Sequence, residues 1–106
     1  MKQSIWLSYD LGIKGDYSGL YQWLDSLNAL ECGNNVAFFK ITINKDENLI
    51  EKLKSEICQN IEIKNGERFY VVYKKEDGKY AGKYIFGNRK ANPWEGYKQT
   101  PSSEDI

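Results

Sequence analysis

Apolar residues recur along this chain at two different spacings, and the spacings alternate in blocks. Over Ser4–Leu11 they come every second position. Ile5, Leu7, Tyr9 and Leu11 share one face and Trp6, Ser8 and Asp10 the other, as in a strand with one face in a core. From Tyr17 the spacing changes to three and four. Leu20, Trp23, Leu24, Leu27 and Leu30 form a single stripe, which predicts a helix over 17–30. Asp16 is placed to cap its start and Gly33 to close its end. The β-branched and aromatic stretch 36–43 is a strand, written equally well as one bent strand or as a tight pair with a bulge near Phe39. A second amphipathic helix follows over 47–59, with Leu49, Ile50, Leu53 and Ile57 inward.

The alternation returns in Arg68–Lys75, where Phe69, Val71 and Tyr73 oppose Arg68, Tyr70, Val72 and Lys74. Asp77-Gly78 suits a two-residue type I′ turn, leading back through Lys79–Phe86. Beyond Gly87 the periodicity stops. Residues 88–97 read as an irregular C-terminal arm attached to a domain over 1–87, and residues 98–106 as a disordered tail. The resulting order is strand, helix, strand or strand pair, helix, hairpin. Two helices on one face of a mostly antiparallel sheet of four to five strands bury both stripes, so the expected class is α+β, a ferredoxin-like sandwich with the first strand central.

Composition narrows the chemistry. The chain has 106 residues, room for one core. Its 15 basic and 15 acidic residues cancel, so no global field draws it to nucleic acid or membrane. The distribution is uneven: no Lys or Arg lies between Gly15 and Phe39, whereas Lys64–Lys98 carries nine basic residues against four acidic ones, an excess of five. There is no His, which removes the usual zinc sites and every His-activated nucleophile. Chemistry must rest on carboxylates, Lys, Tyr or a bound hard cation. Cys32 and Cys58 have no paired spacing and are expected as small buried hydrophobes. No apolar run spans a membrane or marks a signal peptide, so a cytoplasmic location with no membrane contact is expected.

With the element order in place, the chain resembles the Cas2 and VapD group of small ferredoxin-like proteins. Tyr9-Asp10 ends the first strand, a helix closes at Gly33 before the aromatic strand Val36–Phe39, and a helix of pattern Leu49-x-x-x-Leu53 follows. A charged turn then leads into Arg68-Phe-Tyr-Val-Val-Tyr73. The likeness covers about residues 4–75. It implies a homodimer whose two copies of Asp10 approach across a two-fold axis and hold Mg²⁺ or Mn²⁺ for phosphodiester hydrolysis, or a dimer that holds nucleic acid without cutting it. It also implies that Lys79–Phe86 can cross to the partner's sheet. Two departures stand out: the first helix lacks the family's basic residues, and Lys40 follows Phe39 where an acidic residue is usual.

The candidate sites each carry two readings. Asp10 is a catalytic, metal-binding carboxylate under the resemblance; the plainer reading has it capping the Gly12–Gly15 loop. In the basic segment, Arg68, Lys74, Lys83, Arg89 and Lys90 interleave with aromatic residues. That mixture suits phosphate contact plus base stacking, and equally an amphipathic hairpin whose lysines protect an edge. Trp94 and Tyr97, on the Pro/Gly-containing arm, suit locking over the protein's own sheet, or anchorage to a partner subunit or to another protein, with a partner contact preferred. Apart from the divalent cation, no cofactor is evident. Two function classes follow: a dimeric nucleic-acid-acting protein, including a metal-dependent nuclease, or a non-catalytic dimeric interaction module.

Overall fold

The computed structural model describes residues 1–98. Strand β1 spans Lys2–Asp10, helix α1 Tyr17–Ser26, and strands β2 and β3 Leu30–Glu31 and Val36–Thr42. Helix α2 spans Leu49–Asn60, and strands β4 and β5 span Arg68–Lys74 and Tyr80–Phe86. The five strands form one antiparallel sheet in the order β2-β3-β1-β4-β5. β1 is therefore the middle strand, paired with β3 on one side and β4 on the other.

Period-two alternation decides which side of the sheet the helices cover. Ile5, Leu7, Phe39, Phe69 and Val71 are almost wholly buried, and Leu20, Trp23, Leu53 and Ile57 of the helices close over them. Each such side chain contributes roughly 1.5–3 kcal/mol by leaving water. Trp23 meets Phe39 edge-on at 5.5 Å and donates its indole N–H to Glu56 Oε1 at 3.1 Å, so its one polar atom is satisfied inside the α1–α2 contact.

Asp16 caps α1 as expected, accepting from the Gly19 amide at 2.9 Å. The helix nonetheless ends at Ser26, four residues before the expected end at Leu30. Leu27 is its C-cap, Asn28 adopts φ 55°, and Leu30 and Glu31 pair with Phe38 and Ala37. The apolar stripe misled because Leu30 continues the helical spacing while serving a strand. Gly33, at φ 130°, turns β2 into β3 and does not cap the helix. The stretch from Val36 is one strand, and α2 starts at Leu49 behind an Asn48 cap.

The β4–β5 turn also differs from the expected type. Gly78 donates to Lys75 O, Lys75 donates to Lys79 O, and Gly78 has φ 86°. That is a three-residue loop with glycine in the left-handed position. The longer loop pairs Lys74 with Tyr80 and Tyr70 with Tyr84. A two-residue turn would instead have set Tyr70 against Ile85, and a one-residue slip exchanges the faces of a strand. Cys32 and Cys58, expected buried, are both exposed: Cys32 follows β2 on the rim, and Cys58 lies on the outer side of α2. The expected tail lies outside the described residues except for Lys98. Among the described residues, no helix is long and apolar enough to cross a membrane.

Candidate nucleic-acid interface

The face of the sheet away from the helices is open. Its middle carries Trp6 and Phe38, with ring centroids 5.0 Å apart, and Tyr80 edge-on to Trp6 at 6.3 Å. Leu30 and Tyr80 remain more than 60% exposed there. At one end of this face three chain segments meet: the last residue of β1, the first of β4, and the end of β5 with the arm that follows.

Asp10 and Arg68 are directly opposed across the β1–β4 pair. Arg68 donates from Nε and Nη2 to the same oxygen, Asp10 Oδ2, at 3.0 and 2.7 Å. Lys90 Nζ stands 4.0 Å from that oxygen. The bond to Asp10 pushes the Arg68 guanidinium above its ordinary value, so it is a fixed cation at any working pH. The Gly12–Gly15 loop closes without Asp10: Tyr17 donates its hydroxyl to Gly12 O at 2.7 Å, and Gly15 N–H also donates there.

Gly87 brings the arm back over this corner. It sits at φ 82°, and a Cβ there would lie 2.5 Å from Arg68 Cγ and 2.7 Å from Glu67 O, so only glycine fits the turn. The reversal lays the Arg89 guanidinium over two rings, 5.9 Å from the Tyr70 centroid and 5.6 Å from that of Tyr84. Those rings are themselves 4.7 Å apart. Tyr70 can lie across β5 because position 82 is glycine and its phenol occupies the space of the missing side chain. Ser8, Asp10, Arg68, Tyr70, Tyr84 and Arg89 line a cleft of about 230 Å³. A neighbouring cleft of about 320 Å³ adds Lys14, Lys64 and Lys90. Lys64 Nζ donates to Lys14 O, and its amide is held by Glu67 Oε1 at 2.8 Å.

Four of the residues singled out from sequence thus converge: Asp10, Arg68, Arg89 and Lys90. Lys74 does not join them; it ends β4 at the opposite end of the sheet, where its carbonyl accepts from Gln3 Nε2 at 2.9 Å. Lys83 is exposed but opposite Val71, on the helix-bearing side. Trp94 and Tyr97 are 68% and 80% exposed on the arm. Ser8, on the Asp10 face of β1, and Tyr70 and Tyr84, two of the aromatic residues interleaved with the basic ones, complete the cleft. The shared parity of Ser8 and Asp10 signals the first, alternation along β4 puts Tyr70 beside Arg68, and the hairpin register decides that Tyr84 faces Tyr70.

These residues do not fit a divalent cation within one chain. Mg²⁺ and Mn²⁺ take several oxygen ligands, mostly carboxylates and waters. Here Asp10 is held by a guanidinium, with Lys90 beside it, Glu67 of the neighbouring cleft accepts from the Lys64 amide, and among the described residues no three acidic, His or Cys side chains group together. What the corner offers is cations for an anion and rings for a planar group. No protein-family model, curated protein or solved structure matches the chain.

Proposed function

We propose that this protein acts on nucleic acid by holding a single strand at the basic end of its open sheet face. The observation that carries the reading is the convergence of Arg68, Arg89 and Lys90 beside the paired rings of Tyr70 and Tyr84. Guanidinium and ammonium groups neutralise phosphates, while tyrosine rings offer π-faces on which any base can stack. A duplex presents no free base faces, so the rings favour single strands. The strand order β2-β3-β1-β4, with β5 added beyond β4, supports a ferredoxin-like sheet as the platform. It agrees with the resemblance to the Cas2 and VapD group, whose members include dimers that hold nucleic acid without cutting it. Binding, not hydrolysis, is the activity that the pairing of Asp10 with Arg68 favours.

A second reading rests on a different observation, the uncovered patch of Trp6, Phe38, Leu30 and Tyr80. An apolar sheet face of this kind suits a homodimer formed face to face, which would leave the basic corners at its edges. The two readings are compatible.

The test is fluorescence anisotropy with labelled single- and double-stranded oligonucleotides of about 12 nucleotides, at about 50 and 200 mM salt. Single strands should bind more tightly, with affinity falling as salt rises. Arg89→Ala should weaken binding roughly tenfold, and Lys83→Ala less than about twofold. Equal effects of the two substitutions would remove the corner as the site. The same oligonucleotides incubated with Mg²⁺, Mn²⁺ or EDTA report cleavage, and metal-dependent products would move the reading to a nuclease.

A further inference from the structure

Among the described residues Asp10 is the one acidic side chain lining the smaller cleft, and it occupies the groups a phosphate would need. Both nitrogens of the Arg68 fork point at Oδ2, at 3.0 and 2.7 Å, and the Lys90 ammonium is 4.0 Å from the same atom. The fork geometry that matches a carboxylate also matches a phosphate, since both present oxygens to parallel N–H donors. The ion pair is about half open to solvent on the Asp10 side, with the carboxylate 46% and the guanidinium 26% exposed. An exposed pair of this kind is weakly held and exchanges readily for another anion. Arg89, by contrast, lies over the rings, with no carboxylate partner among the described residues.

We propose that Asp10 is an internal competitor for phosphate, a resident anion that holds Arg68 and Lys90 in place when no nucleic acid is bound and weakens binding when it is. The inference rests on the nucleic-acid reading and deepens it. It reverses the sign of the most obvious mutation: a metal-holding Asp10 must be kept for activity, whereas a competing Asp10 improves binding when its charge is removed. Removing that charge frees two cations for the bound strand and abolishes the repulsion between Asp10 and the incoming phosphate. Ser8, the other small polar residue of the cleft, remains as a neutral hydroxyl donor.

The test measures a labelled single strand of about 12 nucleotides binding to wild type, Asp10→Asn, Arg89→Ala, and Arg68→Ala with and without Asp10→Asn, all in EDTA. Asp10→Asn should bind roughly three- to tenfold tighter at low salt. Its affinity should fall more steeply with salt, by about 0.7 in the logarithmic slope for each added phosphate contact. In the Arg68→Ala background the gain should shrink, because the freed guanidinium is its main source. Asp10→Ser is the second variant, and thermal melting confirms that each variant is folded. Unchanged or weaker binding in folded Asp10→Asn and Asp10→Ser, with Arg89→Ala still impaired, overturns the competitor role and leaves the binding site standing. Loss of any difference between wild type and Arg89→Ala overturns both.

Discussion

Asp16 holds the amide of Glu62, 46 positions later, at 2.9 Å through Oδ2, while its Oδ1 accepts from Gly19 at the start of α1. One carboxylate thus caps a helix and ties down the chain leaving the other helix. Both backbone bonds favour the charged form and hold the Asp16 carboxyl below its ordinary value of 3.8. Because the folded state lowers this value, its stabilisation is present above about pH 4 and is lost as pH falls through the folded-state value. Asp16→Ala should lower Tm by roughly 4–8 °C at neutral pH. The gap between the two proteins should narrow on acidification below about pH 4, and a gap independent of pH would mean that the charge is not what matters.

Gly19 shows why the cap has no tolerance for bulk. In an exposed helix, Gly→Ala is worth up to about 1 kcal/mol of stabilisation. Here an added Cβ would lie 2.5 Å from Asn60 O and 2.5 Å from Asp16 Oδ2. One of those contacts is backbone at the end of α2 and cannot rotate away. Gly19→Ala should therefore destabilise, by roughly 1–3 kcal/mol in urea unfolding. Stabilisation would mean that α1 and the end of α2 are less tightly apposed than described.

How much of this was legible beforehand depends on the range of the interaction. Ile5, Leu7, Phe69 and Val71 announced themselves by alternation, because a strand buried on one face has no other way to be written. Asp16 was readable as a cap since a cap is local. Leu30 was not readable as a strand residue, because nothing nearby in sequence distinguishes a helix that continues from one that stops for a pairing with Phe38. Tyr70 was readable on the Arg68 face by alternation, but its pairing with Tyr84 was hidden by one residue of loop length: Gly78 admits either a two- or a three-residue turn, and the choice sets which face Tyr84 occupies. The partner of Asp10 was hidden too, since Arg68 lies 58 positions away and meets it through register alone.

Gly82 allows the stacking platform to be tested without touching a charge. A Cβ at position 82 would meet the Tyr70 hydroxyl and lie 2.6 Å from its Cζ. The obstacle is the far end of a side chain, so the ring can swing off β5 at modest cost. Gly82→Val should therefore change stability by less than about 1.5 kcal/mol. It should also remove the Tyr70–Arg89 contact and weaken single-strand binding roughly tenfold. Undiminished binding in a folded Gly82→Val would mean that Tyr70 is not a stacking surface.

The three tryptophans report the arm separately from the body. Trp23 is 3% exposed with its N–H bonded to Glu56, and Trp6 is half-buried beside Phe38 and Tyr80. Trp94 is 68% exposed in a turn closed by the Glu95 amide donating to Asn92 O. In dilute protein, acrylamide should quench one component strongly, and Trp94→Phe should abolish that component with no loss of Tm. If the arm anchors a second copy, raising the protein concentration should shield Trp94 and shift its emission to the blue. The Trp94→Phe protein should then dissociate at higher concentrations in sedimentation. Quenching of Trp94 that stays constant while sedimentation reports dimer would take the dimer contact off the arm and point to the Trp6–Phe38 face, an apolar patch that the helices leave open.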